Sequence, residues 1–175
     1  MILKRAAAAV TLVVGATIVI TAGGQSADVL QARLKQLFPA ATAFSPKGGE
    51  PPHFTAYAGP GTQNILGYAF WTTEVSPLER GYGGPIVMLM GIDVKGLLTG
   101  VIVTEHHEPY GDFSIDRPAF AAQFRGKDVR DPFKLGQDVD AVSRASITMS
   151  SAVRAIRLSA RRVARELIAP PAAKP

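Results

Sequence analysis

An uninterrupted apolar or small run from Ala6 to Ala22 follows Lys4 and Arg5 and gives way to Gly23, Gly24, Gln25 and Ser26. Two cations, an apolar centre and small residues near Ala22 form an export element, a signal peptide cleaved after Ala22 or an uncleaved membrane anchor. Seventeen helical residues at about 1.5 Å each reach roughly 26 Å, just under the ~30 Å hydrocarbon layer, so both forms stay open. Beyond it the pattern becomes helical. Val29, Leu30, Leu34, Leu37 and Phe38 fall on one side of a helix over residues 28–38, and Pro39 ends it. Residues 44–62 are rich in Pro and Gly and read as loop, with one short strand near His53 to Tyr57.

The period then shortens to that of strands. Ile65 to Val75, with Tyr68, Phe70, Trp71 and two threonines, predicts one strand, and Ile86 to Asp93 predicts the next after a loop over residues 76–84. Asp93, Val94, Lys95 and Gly96 are a turn signal before Leu97 to Glu105, so the last two strands form an antiparallel hairpin, expected at the centre of the sheet. Asp116 is placed to cap a helix over residues 117–125, with Pro118 in its first turn, Gly126 at its end, and Phe120 and Phe124 on one face. A long amphipathic helix closes the chain, with Val153, Ile156, Ala160, Val163 and Leu167 on its apolar stripe and Arg154, Arg157, Arg161 and Arg165 elsewhere. Strands in the middle, helices at the ends and a hairpin in place of a crossover give an α+β fold, a central antiparallel sheet with flanking helices. The divisions are an export segment at residues 1–27, a folded domain at 28–168 and a Pro/Ala-rich tail at 169–175.

Composition narrows the chemistry. With 175 residues, 47% hydrophobic and 19% charged, the chain supports one core and excludes long disorder, collagen and a polytopic membrane protein. The absence of cysteine removes disulfides, thiolate zinc, iron–sulfur clusters and thiol catalysis together. Any redox chemistry therefore needs a non-thiol cofactor. The net charge of +5 is no nucleic-acid signature, because residues 141–175 carry seven Lys/Arg against one Glu and the remainder is nearly balanced. The arginines of the closing helix read as a solvated face, or as a surface for anionic lipid or an acidic redox partner. No metal-ligand spacing surrounds His107 and Glu108.

The densest polar signal lies just before the closing helix, in Asp140, Ala141, Val142, Ser143, Arg144, Ala145, Ser146, Ile147 and Thr148. Hydroxyls at a helix entrance can share an anion with unpaired backbone N–H groups, with Arg144 adding a cation; ordinary capping by Ser143, Ser146 or Thr148 is the plainer use. Upstream, Gly81, Tyr82, Gly83 and Gly84 combine close backbone approach with a stacking face, as a plain turn also would.

Together these segments resemble the FMN-binding domains of Rnf and sodium-translocating NADH:quinone reductase subunits and of nitrous-oxide-reductase regulators. The first segment is similar to the family's Asp-x-x-Ser/Thr-Gly-Ala-Thr flavinylation motif. Gly81 to Ile86 with Gly91, Ile92, Asp93 and Gly96 is similar to its glycine-rich loop and hairpin, and His106, His107, Glu108 and Pro109 to its His-Glu signature. Phe120, Phe124 and Gly126 match the helix that follows. The resemblance spans roughly residues 28–168.

It implies FMN as cofactor and a flavin transferase as maturation partner, with the flavin joined by a phosphoester to the residue at the motif's threonine, here Ser146, or to Thr148 as the second choice. Arg144 stands where the family has glycine. Ser143, Arg144 and Ala145 then surround the phosphate, Gly81, Tyr82, Gly83 and Gly84 approach the ring, and His107 and Glu108 hydrogen-bond it or tune its potential. The function implied is an exported periplasmic electron carrier, soluble or anchored, serving a membrane or periplasmic redox partner. A flavoenzyme reducing a small molecule, with His107 or Tyr110 as proton donor, and a cofactor-free sensory or binding module of the same fold are the alternatives.

Overall fold

The computed structural model describes residues 22–59 and 61–168. Most of the expected export element and the whole expected tail lie outside the described residues. Helix α1 (Ala22–Leu37) leads into strands β1 (Ala43–Phe44), β2 (Phe54–Tyr57) and β3 (Ile65–Trp71), a single helical turn α2 (Thr72–Val75), strands β4 (Val87–Asp93) and β5 (Leu98–Glu105), a short helix α3 (Pro118–Ala122) and the closing helix α4 (Ser146–Leu167). The strands form one sheet in the order β1-β2-β3-β4-β5, antiparallel throughout. The fold is α+β, as the pattern of strands and helices predicts.

Strand β4 is apolar nearly throughout because both of its faces are covered. Met88, Met90 and Ile92 enter the larger core with Phe70, Phe120, Phe124, Met149, Val153 and Ile156, while Leu89 faces the other way and packs with Leu34, Leu37 and Phe38 of the α1 region. Burying one such side chain contributes about 1.5–3 kcal/mol, so this alternation along a single strand ties α1 and α4 to opposite faces of one sheet. Only the last turns of α1 join in: Leu34 and Leu37 are buried, whereas Val29 is exposed, against the expectation of one continuous apolar stripe. The helix also begins at Ala22, ahead of Asp28, since no proline interrupts the intervening residues.

Three further expectations change. The β4–β5 hairpin is at one side of the sheet, with β5 as its outer strand and β3 in the middle. That outer edge is partly covered, because Leu98 exchanges backbone hydrogen bonds with the segment at Gly126 and Lys127, which blunts it against stray pairing. The strand expected to run to Val75 stops at Trp71: the Thr72 hydroxyl accepts the Met88 N–H at 3.2 Å, taking over the ladder as the chain turns into α2. The helix expected over residues 117–125 shortens to Pro118–Ala122, and Arg117, without a side-chain cap bond, occupies its N-cap. Asp116 is withdrawn from capping by His106, whose Nε2 lies 2.9 Å from its Oδ1. Gly126 does adopt the left-handed conformation expected of it, at φ +81°. Among the described residues no helix is long and apolar enough to cross a membrane.

Candidate functional site

Strand β5 ends at Glu105 and delivers His106, His107, Glu108 and Pro109 between the 81–84 loop and the start of α4. Glu108 is buried there, and its carboxylate joins both. One oxygen accepts the Gly83 N–H at 2.8 Å; the other accepts the Tyr82 N–H at 3.1 Å and the Thr148 hydroxyl. Burial alone would raise the carboxyl's pKa. The hydrogen bonds from Thr148, Gly83 and Tyr82 outweigh burial and hold it below the ordinary glutamate value. His106 fixes the backbone beneath: its Nδ1 accepts the Glu108 N–H at 3.1 Å, which leaves the ring proton on Nε2, facing Asp116.

This clamp explains the glycines. A Cβ on Gly81 would run into the Glu108 carboxylate, and one on Gly83 into the backbone carbonyl of His107. The loop closes through the Gly81 N–H to the Gly84 carbonyl at 2.7 Å. The N–H groups of Gly81, Tyr82 and Gly83 are all spent inside the protein. What the loop presents outward is the Tyr82 ring, 73% exposed.

That ring forms one wall of a cleft of about 470 Å³, within the range of small-molecule sites. Pro109, Tyr110 and Ile147 supply further apolar surface, and Arg144, Ala145, Ser146 and Thr148 close the side toward α4. Tyr82, Tyr110 and Ile147 are all exposed and converge on this one cleft, an apolar surface that a soluble fold leaves bare at few places. Helix α4 starts without side-chain capping: its N-cap is Ala145, which makes no such bond. The hydroxyls of Ser143 and Ser146 have no hydrogen-bond partner among the described residues, and Thr148 is turned inward to Glu108. Capping, the plainer use of these hydroxyls, is therefore not what they do. The first N–H groups of α4 stand beside the cleft with the positive end of the helix dipole. Arg144 adopts φ +69°, a left-handed conformation that glycine enters without strain, which gives a physical reason for glycine at this place in the motif it resembles.

Of the residues singled out in the sequence, Tyr82, Arg144, Ala145, Ser146 and Thr148 line the cleft, whereas Gly81, Gly83, Gly84 and Glu108 support it from behind. Ser143 and His107 are exposed outside its lining. The sequence does not single out Pro109 and Ile147 as cleft walls, and it offers Tyr110 only as a proton donor. Ile147 is detectable as an apolar residue off the core stripe of its helix, but nothing in the sequence shows that Pro109 and Tyr110 turn toward it.

The FMN-binding domain family model matches residues 81–160, from the glycine loop through most of α4. This chain carries a domain of the FMN-binding family. FMN is accordingly its cofactor, and the site suits it: bare aromatic walls for a flat ring, with idle hydroxyls, an arginine and free helix N–H groups for a phosphate. Similarity extends to the regulatory protein NosR of Pseudomonas aeruginosa, 28% identical over 137 residues covering 73% of this chain and 19% of that protein. NosR of Stutzerimonas stutzeri is 30% identical over 129 residues, covering 68% of this chain and 17% of that protein. One component of the ion-translocating oxidoreductase complex of Haemophilus influenzae is 48% identical over 48 residues, 27% of this chain and 21% of that protein. The FMN-binding chain thus spans about a fifth of the length of these relatives.

Proposed function

We propose that this chain is an exported electron carrier whose FMN is joined through its phosphate to the Ser146 hydroxyl, and that it serves a membrane-associated respiratory redox system. The observation carrying this reading is the exposed, unpartnered Ser146 hydroxyl at the start of α4, on the rim of a cleft with bare aromatic walls. Thr148 is the weaker acceptor, because it is buried and donates to Glu108. In the joining step Ser146 Oγ bonds to the flavin phosphorus and its proton passes to water. A flavin transferase supplies that phosphorus in an activated phosphoanhydride, whose other phosphate leaves with the bonding electrons. Arg144 and the first N–H groups of α4 favour the phosphate charge, and Tyr82, Tyr110 and Ile147 shield the ring from water. When bound, the flavin accepts and passes electrons; the chain sets its position and surroundings.

The relation to NosR and to a component of an ion-translocating oxidoreductase complex supports a membrane redox partner. The basic and apolar N-terminal sequence supports export to the periplasm, with residues 28–168 as the flavin domain and residues 1–27 as signal or anchor. Tyr110, half-exposed on the cleft, favours a second reading, reduction of a small acceptor with its hydroxyl as proton donor.

Co-expression with a flavin transferase, followed by intact-mass measurement and in-gel flavin fluorescence, is expected to show a covalent FMN adduct that vanishes in Ser146→Ala. Persistence there with loss in Thr148→Ala moves the bond to Thr148. A chain that binds no flavin at all overturns the proposal in favour of a cofactor-free module, and turnover of a small organic acceptor without a protein partner favours the second reading. The same mass measurement decides whether the N-terminal segment is removed.

A further inference from the structure

The arginines of α4 are used almost without exception. Arg154 pairs with Glu79 at 2.6 Å, Arg161 donates to the carbonyls of Val129 and Asp131, Arg162 to the Val75 carbonyl and Glu50, and Arg165 lies 3.3 Å from Glu166. Arg157 departs from this pattern. It is half-buried, has no ion pair or hydrogen bond among the described residues, and its Nε is sealed from water without an acceptor. A buried guanidinium N–H with nothing to donate to calls for an explanation.

Arg157 lines a pocket of about 270 Å³ between α4 and the loop at residues 133–135. Lys134 and Ser150 line the same pocket, and neither the ammonium nor the hydroxyl has a partner among the described residues. Arg154 stands at its side, already neutralised by Glu79. Phe133 holds the loop in place. Its backbone is left-handed at φ +48°, costly for an aromatic residue, and is kept so by burial of its ring against Phe124 and by Asp138, which accepts the N–H groups of both Phe133 and Lys134. Strain of this kind, fully supported by its surroundings, brings Lys134 to the pocket that Arg157 faces.

We propose that this pocket is a second binding site, for an oxyanion group of the carboxylate or phosphate class, held by Arg157 and Lys134 with Ser150 as a hydroxyl donor. A guanidinium supplies forked N–H groups to two oxygens, and the ammonium adds charge. The site is distinct from the flavin cleft, whose lining shares none of these residues, and it does not depend on the flavin reading.

The test is calorimetric titration of the FMN-loaded full chain with inorganic phosphate and, separately, with acetate, at constant ionic strength set with chloride. Saturable binding of one of the two anions is expected, and which one binds names the class. The affinity should fall roughly tenfold or more in Arg157→Gln and by a smaller factor in Lys134→Gln, and be unchanged in Arg165→Gln. Lys134 is exposed, so its variant tests the site even if Arg157→Gln folds poorly. Absence of saturable binding by either anion, equal binding in all three variants, or binding seen only before FMN is loaded would each overturn the proposal.

Discussion

The two ends of helix α4 are finished in opposite ways. Its later turns are riveted to the domain by arginines reaching Glu79, Glu50 and the carbonyls of Val75, Val129 and Asp131. Its first turn is anchored inward by Thr148 on Glu108 and by Met149 in the core, while Ser143 just before it, Ser146 and an exposed Ile147 make no hydrogen bond or core contact among the described residues. A polar atom without a partner in water is ordinary. A hydroxyl without a partner beside bare aromatic surface and unpaired helix N–H groups is a surface prepared for something else. The two ends differ in which one the fold completes, and the proposed FMN site uses the end that it leaves open.

The contrast can be broken most severely at its anchor. Glu108→Ala leaves two backbone N–H groups and a hydroxyl unpaired in a buried place, and should lower stability by about 3 kcal/mol in urea unfolding. Flavin loading should be lost with it. Glu108→Gln should cost less, and the difference between it and the wild type should carry a pH signature. Because the folded-state pKa is depressed, the carboxylate's contribution is fully present above the ordinary glutamate value and is lost as pH falls through the lower folded value. The gap between the two proteins should therefore narrow as pH falls below the ordinary glutamate value; a gap that stays constant down to the acid limit would refute the clamp.

Gly83→Ala comes next, at about 2 kcal/mol, since the added methyl meets the His107 carbonyl and the loop must shift. Fluorescence of bound flavin should fall in the same variant, as Tyr82 is displaced. Arg144→Gly should act in the other direction. Release of the left-handed backbone should raise stability by about 1 kcal/mol, less the added freedom of glycine in the unfolded chain, and thermal unfolding would show it. The smallest effect belongs to the riveted end: Arg154→Ala, which removes one half-exposed ion pair, should change stability by about 0.5 kcal/mol and leave flavin loading intact. Loss of loading in that variant would erase the distinction between the two ends.

Much of the fold is legible in the sequence because the period of apolar residues reports what each segment does locally. The β4–β5 turn is one such case: Asp93 accepts the Lys95 and Leu97 N–H groups and Gly96 sits at φ +88°. Which strands become neighbours depends on contacts that periodicity does not encode, so the expectation of a central hairpin gives way to a sheet with β3 in the middle. The same limit applies at the site. The order of the motifs points to segments that the fold brings together, since Ser146 and Tyr82 line one cleft. Glu108 reads as a residue that hydrogen-bonds the flavin or tunes its potential, because nothing local signals that residues 82, 83 and 148 will enclose it. Asp116 illustrates the converse, a good capping residue drawn away by a histidine brought near by folding.

The Glu108 carboxylate ties together segments separated by 25, 26 and 40 positions along the chain. Its last partner, Thr148, lies in α4, the last helix among the described residues. A chain that still lacks α4 has neither a seated glycine loop nor a placed Ser146, so the proposed flavin attachment has to wait until α4 has been made. For an exported chain, the pigment would then be fitted only after the protein has crossed the membrane and closed upon itself.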